Sequence, residues 1–485
     1  MTSDRRLRKV GLLSLLLTAC GVQRCEALAV PEADHTFGDE QQPSCAMLLN
    51  SMLPRNCLIG KMSMSLGVAS AAPAASLSAR EKPASAPSKG QSELDVRVST
   101  SVWSGNRKLD DQTGVVYPRV NVKAAHKMPS GVSLFAEGYV GDEYSLQSDK
   151  PRAQTAIREL HLGYKHGAAS GRVGLQIIPW GRADVVNPTD NISAYDYTLL
   201  VPDDAEQRLG VPTASLVYRM ESASLQTLWQ PFFRASEIPL PPISGARYRD
   251  DKPEGLQASA GIRLDVSGEP IAWSLSYFRG PSKPPNLALA PARVAQGILD
   301  TNHPIVSTYG LDFESLAGRW VLRGEAAYNH VDGSDSDPLA SRESFALGVL
   351  GVERSFGEAS AFFQITYRRI FDFIDPYEMQ EPFRELALAN ATVNAETAQS
   401  LLGFGTGFAL NTSDLRWSAA ADLAYFPATE DFSIRPRLRY QVSDAVSLWI
   451  GADYLRGPST ASLGRLADNT AGWLGFSVNA LDSSR

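Results

Sequence analysis

Residues 415–442 read LRWSAAADLAYFPATEDFSIRPRLRYQV, and their alternation decides the fold. Leu415, Trp417, Ala419, Ala421, Leu423 and Tyr425 share one parity, and Arg416, Ser418 and Asp422 the other. After a polar break the pattern restarts: Phe432, Ile434, Leu438, Tyr440 and Val442 oppose Arg435, Arg437, Arg439 and Gln441. A period of two belongs to strands, so this is a hairpin with one apolar and one charged face. Each run is 11 residues long. Strands of soluble proteins average about 5–6 residues, whereas a tilted strand crossing a bilayer needs about 9–11.

The same reading extends outward. In 116–124, Val116, Pro118, Val120, Val122 and Ala124 oppose Tyr117, Arg119, Asn121 and Lys123. In 256–266, Leu256, Ala258, Ala260, Ile262, Leu264 and Val266 oppose Gln257, Ser259, Arg263 and Asp265. Strands are expected at 93–103, 115–126, 131–141, 154–166, 170–178, 212–220, 223–231, 256–267, 270–279, 306–315, 318–330, 342–354, 358–371, 400–411, 414–426, 432–443, 446–456 and 471–480. Short and long links alternate between them, and only 427–431 breaks the contrast. Short turns on one side and long loops on the other characterise outer-membrane barrels, and a closed barrel leaves no unpaired edge in lipid. The fold class is therefore all-β: a transmembrane antiparallel up-and-down β-barrel of about 18 strands. A large soluble β-sandwich is the competing architecture, since its sheets alternate too.

Aromatic residues mark the ends of the apolar faces, as expected of interfacial girdles: Tyr164, Trp273, Tyr277, Trp320, Tyr328, Trp417, Tyr425, Tyr440, Tyr454 and Trp473. Such barrels usually finish on an aromatic residue. Here the strand carrying Trp473 and Phe476 is followed by the seven residues Asn479 to Arg485, a departure from that pattern.

Composition excludes several classes. The formal net charge is -7, and no basic block follows the N-terminus, so nucleic acid is not an expected partner. Cys20, Cys25, Cys45 and Cys57 are the four cysteines, all within the first 57 residues. The body from 93 onward thus holds no disulfide and no cysteine-based metal or redox site. No apolar run reaches the roughly 18 residues of a membrane helix.

The N-terminus reads as an export signal over 1–20, with Arg5, Arg6, Arg8 and Lys9 ahead of the apolar run Val10–Leu17. It ends in Leu17-Thr18-Ala19-Cys20-Gly21, which looks like a bacterial lipobox and implies lipidation at Cys20. The alternatives are an ordinary signal with a chance cysteine, or a later start at Met52 or Met62 with a weaker signal ending near Ala69–Ala72. Residues 21–92 are expected to be a disordered tether; their part from 66 on, rich in Ala, Ser, Pro and Lys, cannot bury enough surface to fold. The barrel domain is expected over 93–485.

If the apolar faces meet lipid, the opposite faces line the interior. The pore-lining candidates are Arg119, Lys123, Glu137, Arg263, Asp265, Arg319, Arg323, Arg416, Asp422, Arg435, Arg437 and Arg439. Glu159, Asp312, Glu314, Glu325 and Asp453 share those faces. A midplane arginine in lipid would cost roughly 2–4 kcal/mol, so these charges need water or partners. Arg435, Arg437 and Arg439 form either a basic ladder attracting anions or one half of structural ion pairs with Asp422 and Asp453.

One loop stands out. After Gly174, Gln176 and Pro179 come Trp180, Gly181, Arg182, Ala183, Asp184, Asn187, Pro188, Thr189, Asp190 and Asn191. This run resembles a Gly-x-Gln-x-x-x-Trp-Gly-Arg-Ala-Asp…Asn-Pro-Thr-Asp-Asn segment of poorly characterised proteobacterial outer-membrane porin-like proteins, and the barrel is loosely similar to the alginate-export type. The resemblance covers the loop closely and the rest only by pattern. It implies a channel with an inward-folded loop, whose constriction residues would be Trp180, Arg182, Asp184, Asn187, Asp190 and Asn191. Without that resemblance the loop is a pinned structural element, with Asp190 and Asn191 capping a turn and Arg182 paired to Asp184 or Asp203.

No catalytic residue, metal site or cofactor is assigned. The six histidines form no His-Glu-x-x-His, and no Gly-x-Ser-x-Gly occurs. The expected function is an outer-membrane porin or channel for small polar solutes, anionic ones included. Its expected partners are outer-membrane lipid, those solutes and the barrel-assembly machinery. An adhesin or assembly scaffold with a plugged barrel is the alternative, and an outer-membrane lipid hydrolase a further one.

Overall fold

A computed structural model describes residues 90–482, apart from 106–112, 146–151, 184–185, 239–246, 251–252, 254–255, 289–292, 294–295, 333–342, 381–383, 385–386, 389 and 392–395. The signal, Cys20 and nearly all of the tether, expected within 1–92, lie outside the described residues, as does Asp184.

Eighteen antiparallel strands close into one sheet. They are β1 Gln91–Gly105, β2 Gly114–Lys127, β3 Val132–Ser145, β4 Arg152–His166, β5 Ala169–Gln176, β6 Val211–Arg219, β7 Ala223–Gln230, β8 Ser259–Val266 and β9 Ile271–Pro281. There follow β10 Ile305–Ala317, β11 Trp320–Val331, β12 Phe345–Phe356, β13 Ala359–Ile370, β14 Ser400–Asn411, β15 Trp417–Phe426, β16 Asp431–Gln441, β17 Val446–Arg456 and β18 Ala471–Asp482. Each strand pairs with its neighbours in sequence. The ring closes where β1 meets β18, from Asp95 opposite Asp482 to Gly105 opposite Ala471. All 18 strands expected from the alternation are present. Their ends shift by a few residues, and Leu256, 73% exposed, precedes β8 instead of starting it.

The outer face is inverted relative to a soluble protein. Val120, Val122, Leu160, Leu162, Val173, Leu216, Leu311, Leu350, Ile365, Leu438, Ile450 and Leu474 are all exposed on it. A soluble monomer does not carry apolar surface on that scale, whereas hydrocarbon covers it without cost. Aromatic rings edge the belt at both rims. At the long-loop rim Tyr277, Tyr309, Tyr328 and Phe371 form a chain with centroid spacings of 5.0, 6.4 and 5.8 Å. At the short-turn rim Trp417 packs on Tyr440 at 4.4 Å. Trp320 and Tyr328 begin and end the outer face of β11; eight residues at about 3.4 Å each, tilted about 40°, span about 21 Å of membrane.

Trp473 does not belong to a girdle. It is 4% exposed on the inner face, 5.3 Å from Trp103, in a cluster with Val115, Leu200 and Ala471. Gly451 makes the room, since a Cβ there would stand 2.3 Å from the Trp473 ring. The outward parity of β18 is carried by Leu474 and Phe476.

The apolar cores are small and lie inside the barrel, between the wall and the 34-residue connection 177–210 that runs from β5 to β6. Above the long-loop rim, residues 247–250, 298–302 and 286–288 form a three-stranded sheet.

Candidate functional site

The 177–210 connection folds into the lumen and fastens to the wall on two sides. Its first half is organised around one carboxylate, Glu325 on the inner face of β11. Glu325 accepts the backbone N–H groups of Arg182 (2.9 Å), Ala183 (3.2 Å) and Thr189 (2.7 Å), and the Thr189 hydroxyl (2.8 Å). Gly181 permits this nest: its φ is +92°, and a Cβ would meet Asn187 Oδ1 at 1.8 Å and the Glu325 carboxylate at 2.6 Å. The Asn187 carbonyl accepts the Asp190 N–H at 3.2 Å, which turns the chain back. Asn191 continues into the wall, donating to Thr308 Oγ1 at 2.6 Å.

Beside the nest sits a charge-balanced quartet. Arg182 reaches Asp312 at 2.5 Å and Asp265 at 3.4 Å. Arg263 pairs with the same two carboxylates, at 2.8 Å to Asp312 and 3.0 Å to Asp265, and donates to Ser274 at 2.8 Å. Arg182 thus finds its partners on strands β8 and β10, far away in sequence, and not at Asp203. Trp180 anchors the loop by packing with Ile178, Ile192, Leu228 and Phe278, and donates its indole N–H to Gln226 at 3.0 Å. Val186 reaches Val349 and Phe362 on β12 and β13.

The second half binds the other side. Asp190 pairs with Arg208, and both contact the Tyr195 hydroxyl, at 2.7 and 2.8 Å. Asp203 caps the 3-10 turn Asp204–Gln207 by accepting from the Ala205 N–H at 2.9 Å. Burial holds the Asp203 carboxyl above its usual range, against the pull of that N–H. Glu206 pairs with Arg97 on β1 (2.7 Å) and with Arg119 on β2 (2.9 Å). Asp204 pairs with Arg435 on β16, which also holds Asp453 at 2.6 Å. Leu199 and Val201 pack on Tyr117 and Tyr139, and Leu200 on the Trp103–Trp473 pair.

Arg158 completes the clamp. A β-bulge between Glu137 and Gly138 leaves Arg158 as the extra residue of β4, so Arg158 and Glu159 both face inward. Arg158 pairs with Glu137 and donates to the Ala205 and Arg208 carbonyls at 2.7 and 3.1 Å. Glu159 accepts the Ile177 N–H at 2.9 Å. Sequence parity alone missed Arg158. The signal was present: apolar residues fall at Ile157 and then at Leu160, a slip of phase within one strand.

The expected lining residues divide into three groups. Arg119, Glu137, Arg263, Asp265, Arg323, Asp422, Arg435 and Arg437 carry ion pairs on the inner wall; Arg437 pairs with Asp422, and Arg323 with Glu314 and Glu353 at 2.9 and 2.7 Å. Lys123 and Arg439 lie on inner faces, and among the described residues no carboxylate comes within 4 Å of either; Arg439 is held by Gln441 and Ser447 at 3.2 and 3.3 Å. Arg319 and Arg416 stand apart. They occupy exposed turns before β11 and β15, because the alternation of a strand was carried one residue past its end. Of the constriction candidates, Trp180, Arg182, Asn187, Asp190 and Asn191 all lie in the inward loop. Among the described residues no hydrogen bond or ion pair joins that loop to β14 or β15, whose inner faces hold Gly403, Gly405, Gly407, Ala409, Ala420 and Ala424.

The sequence matches no family model and no curated protein. Among solved structures, the chain is similar to OccAB1 of Acinetobacter baumannii, with a TM-score of 0.49 and 10% identity over 81% of this chain and 97% of that one. OpdQ of Pseudomonas aeruginosa gives 0.48 and 9%, over 81% and 99%. OpdK of the same organism, solved with vanillate, gives 0.47 and 10%, over 80% and 97%. At this identity and overlap nothing about this chain's solutes follows from theirs.

Proposed function

We propose that this protein is an outer-membrane channel in which the 177–210 loop narrows a polar lumen, and that it passes small polar solutes with a preference for anions. The observation that carries the reading is the two-sided fastening of the loop inside a closed, lipid-suited barrel. Most wall charges are consumed in holding the loop and the wall. Of the expected lining cations on the inner faces, Lys123 and Arg439 have no carboxylate within 4 Å among the described residues, and they bias the remaining path toward anions. The loop segment that resembles porin-like proteins serves here as the latch around Glu325. No catalytic step is assigned.

A second reading has support in the same loop, which touches wall strands around much of the circumference: a plugged barrel acting as a scaffold. Single-channel recording of the purified protein in planar bilayers, with reversal potential in a salt gradient, separates the two. Steady steps with anion preference are expected, and Lys123→Glu with Arg439→Glu should reverse that preference. Silence from a folded, heat-modifiable barrel would favour the scaffold.

A further inference from the structure

We propose that Arg354, clamped between Trp320 and Phe356 on the outer face at the short-turn rim, binds the phosphodiester of a membrane phospholipid. The inference rests on the membrane reading but concerns the opposite surface of the wall. Arg354 lies directly across from Trp320 in the β11–β12 ladder. Its guanidinium carbon stands 4.6 Å from the Trp320 ring centre and 4.9 Å from that of Phe356. Both rings face outward, at 45% and 52% exposure. The neighbouring Glu353 faces the lumen and is held by Arg323. Among the described residues Arg354 has no carboxylate partner, and its buried Nε has no hydrogen-bond partner at all.

A guanidinium on a lipid-facing surface is costly at the midplane and costs roughly 0–1 kcal/mol near the interface. Two rings fix its plane, so its fork of donors points the same way in every molecule. The anion that this depth of a bilayer supplies is a phosphodiester, which accepts that fork in a bidentate manner. Arg319, exposed in the turn immediately before Trp320, adds a second cation at the same rim. Arg416 has the same place in the exposed turn before Trp417, whose ring packs on Tyr440 at 4.4 Å. These two arginines gain a role outside the lumen.

Native mass spectrometry of the full-length protein in detergent tests this, with phosphatidylglycerol and diacylglycerol of matched acyl chains as probes. Phosphatidylglycerol should stay bound and diacylglycerol should not. Arg354→Gln should weaken phosphatidylglycerol binding by about tenfold, the loss expected for one charge-assisted contact, while Arg369→Gln at the opposite rim should leave it unchanged. Equal retention of the two lipids, or equal affinity in Arg354→Gln, would overturn the proposal. If Arg354→Gln fails to fold, the lipid comparison on the unaltered chain decides alone. A chain that conducts in bilayers yet gives either adverse result loses this site and keeps its channel; one that never enters bilayers loses both.

Discussion

Lys283 shows how a single residue can set a pH dependence. It follows β9 and is 3% exposed; its ammonium donates to Gln230 Oε1 at 3.0 Å and lies 5.2 and 6.0 Å from the rings of Phe233 and Phe278. Burial, with no carboxylate in reach among the described residues, pushes its pKa down to about 7. The unfolded chain would titrate near the ordinary lysine value of about 10.4. Between these values the unfolded state binds the extra proton, so stability rises with pH across that window. Below 7 both states are charged and the burial cost is felt in full. Lys283→Met should therefore raise the unfolding midpoint at pH 6, with the gain shrinking to nothing by about pH 11. Heat-modifiability on gels at the two pH values checks this, and an equal gain at both would refute it. Residue chemistry of this kind was not legible from the sequence, because nothing local marks Lys283 as buried.

The inward loop is the element on which the proposed function depends, and its latch is a carboxylate on another strand. Removing Glu325 leaves three backbone donors and one hydroxyl without their acceptor, at about 1–3 kcal/mol for each buried group. Glu325→Ala should free the first half of the loop while the Arg119–Glu206 and Arg435–Asp204 pairs hold the second. Bilayer recordings should then show larger and noisier steps than the parent, and limited proteolysis should cut near 182–190. Unchanged conductance would mean that this half of the loop does not bound the path. The sequence marked the loop as unusual, through Trp180, Arg182, Asn187 and Asp190, and marked Glu325 as inward by parity. It could not join the two, since their contact spans more than 130 positions and follows from barrel curvature. Arg158 was hidden for a different reason: one bulge shifts the phase of β4, and parity read from either end misassigns the residue at the slip.

At the scale of the whole molecule, closure is the property that lets this chain hide every strand edge. Ser99 on β1 faces Ser477 on β18, and directly paired residues have Cα atoms about 4.5–5.5 Å apart, within disulfide range. With Cys20, Cys25, Cys45 and Cys57 replaced by serine, a Ser99→Cys, Ser477→Cys chain should oxidise to an intramolecular disulfide. A faster-migrating band on a denaturing, non-reducing gel would report it; its absence in oxidised, folded protein would argue against closure between these strands.

By itself the sequence determined the strand count and, apart from the phase slip in β4 and the inward Trp473, which side chains of the strands face in and which face out. Alternation and turn length are local properties, and hydrocarbon on one face with water on the other leaves them nowhere else to go. Only the tertiary structure decided which charges meet. Asp312 serves both Arg182 and Arg263, Asp204 is taken by Arg435, and Trp473 turns inward to fill the space left by Gly451. Those pairings depend on the curvature of a closed sheet and on a loop crossing its interior, distances that no spacing along the chain encodes.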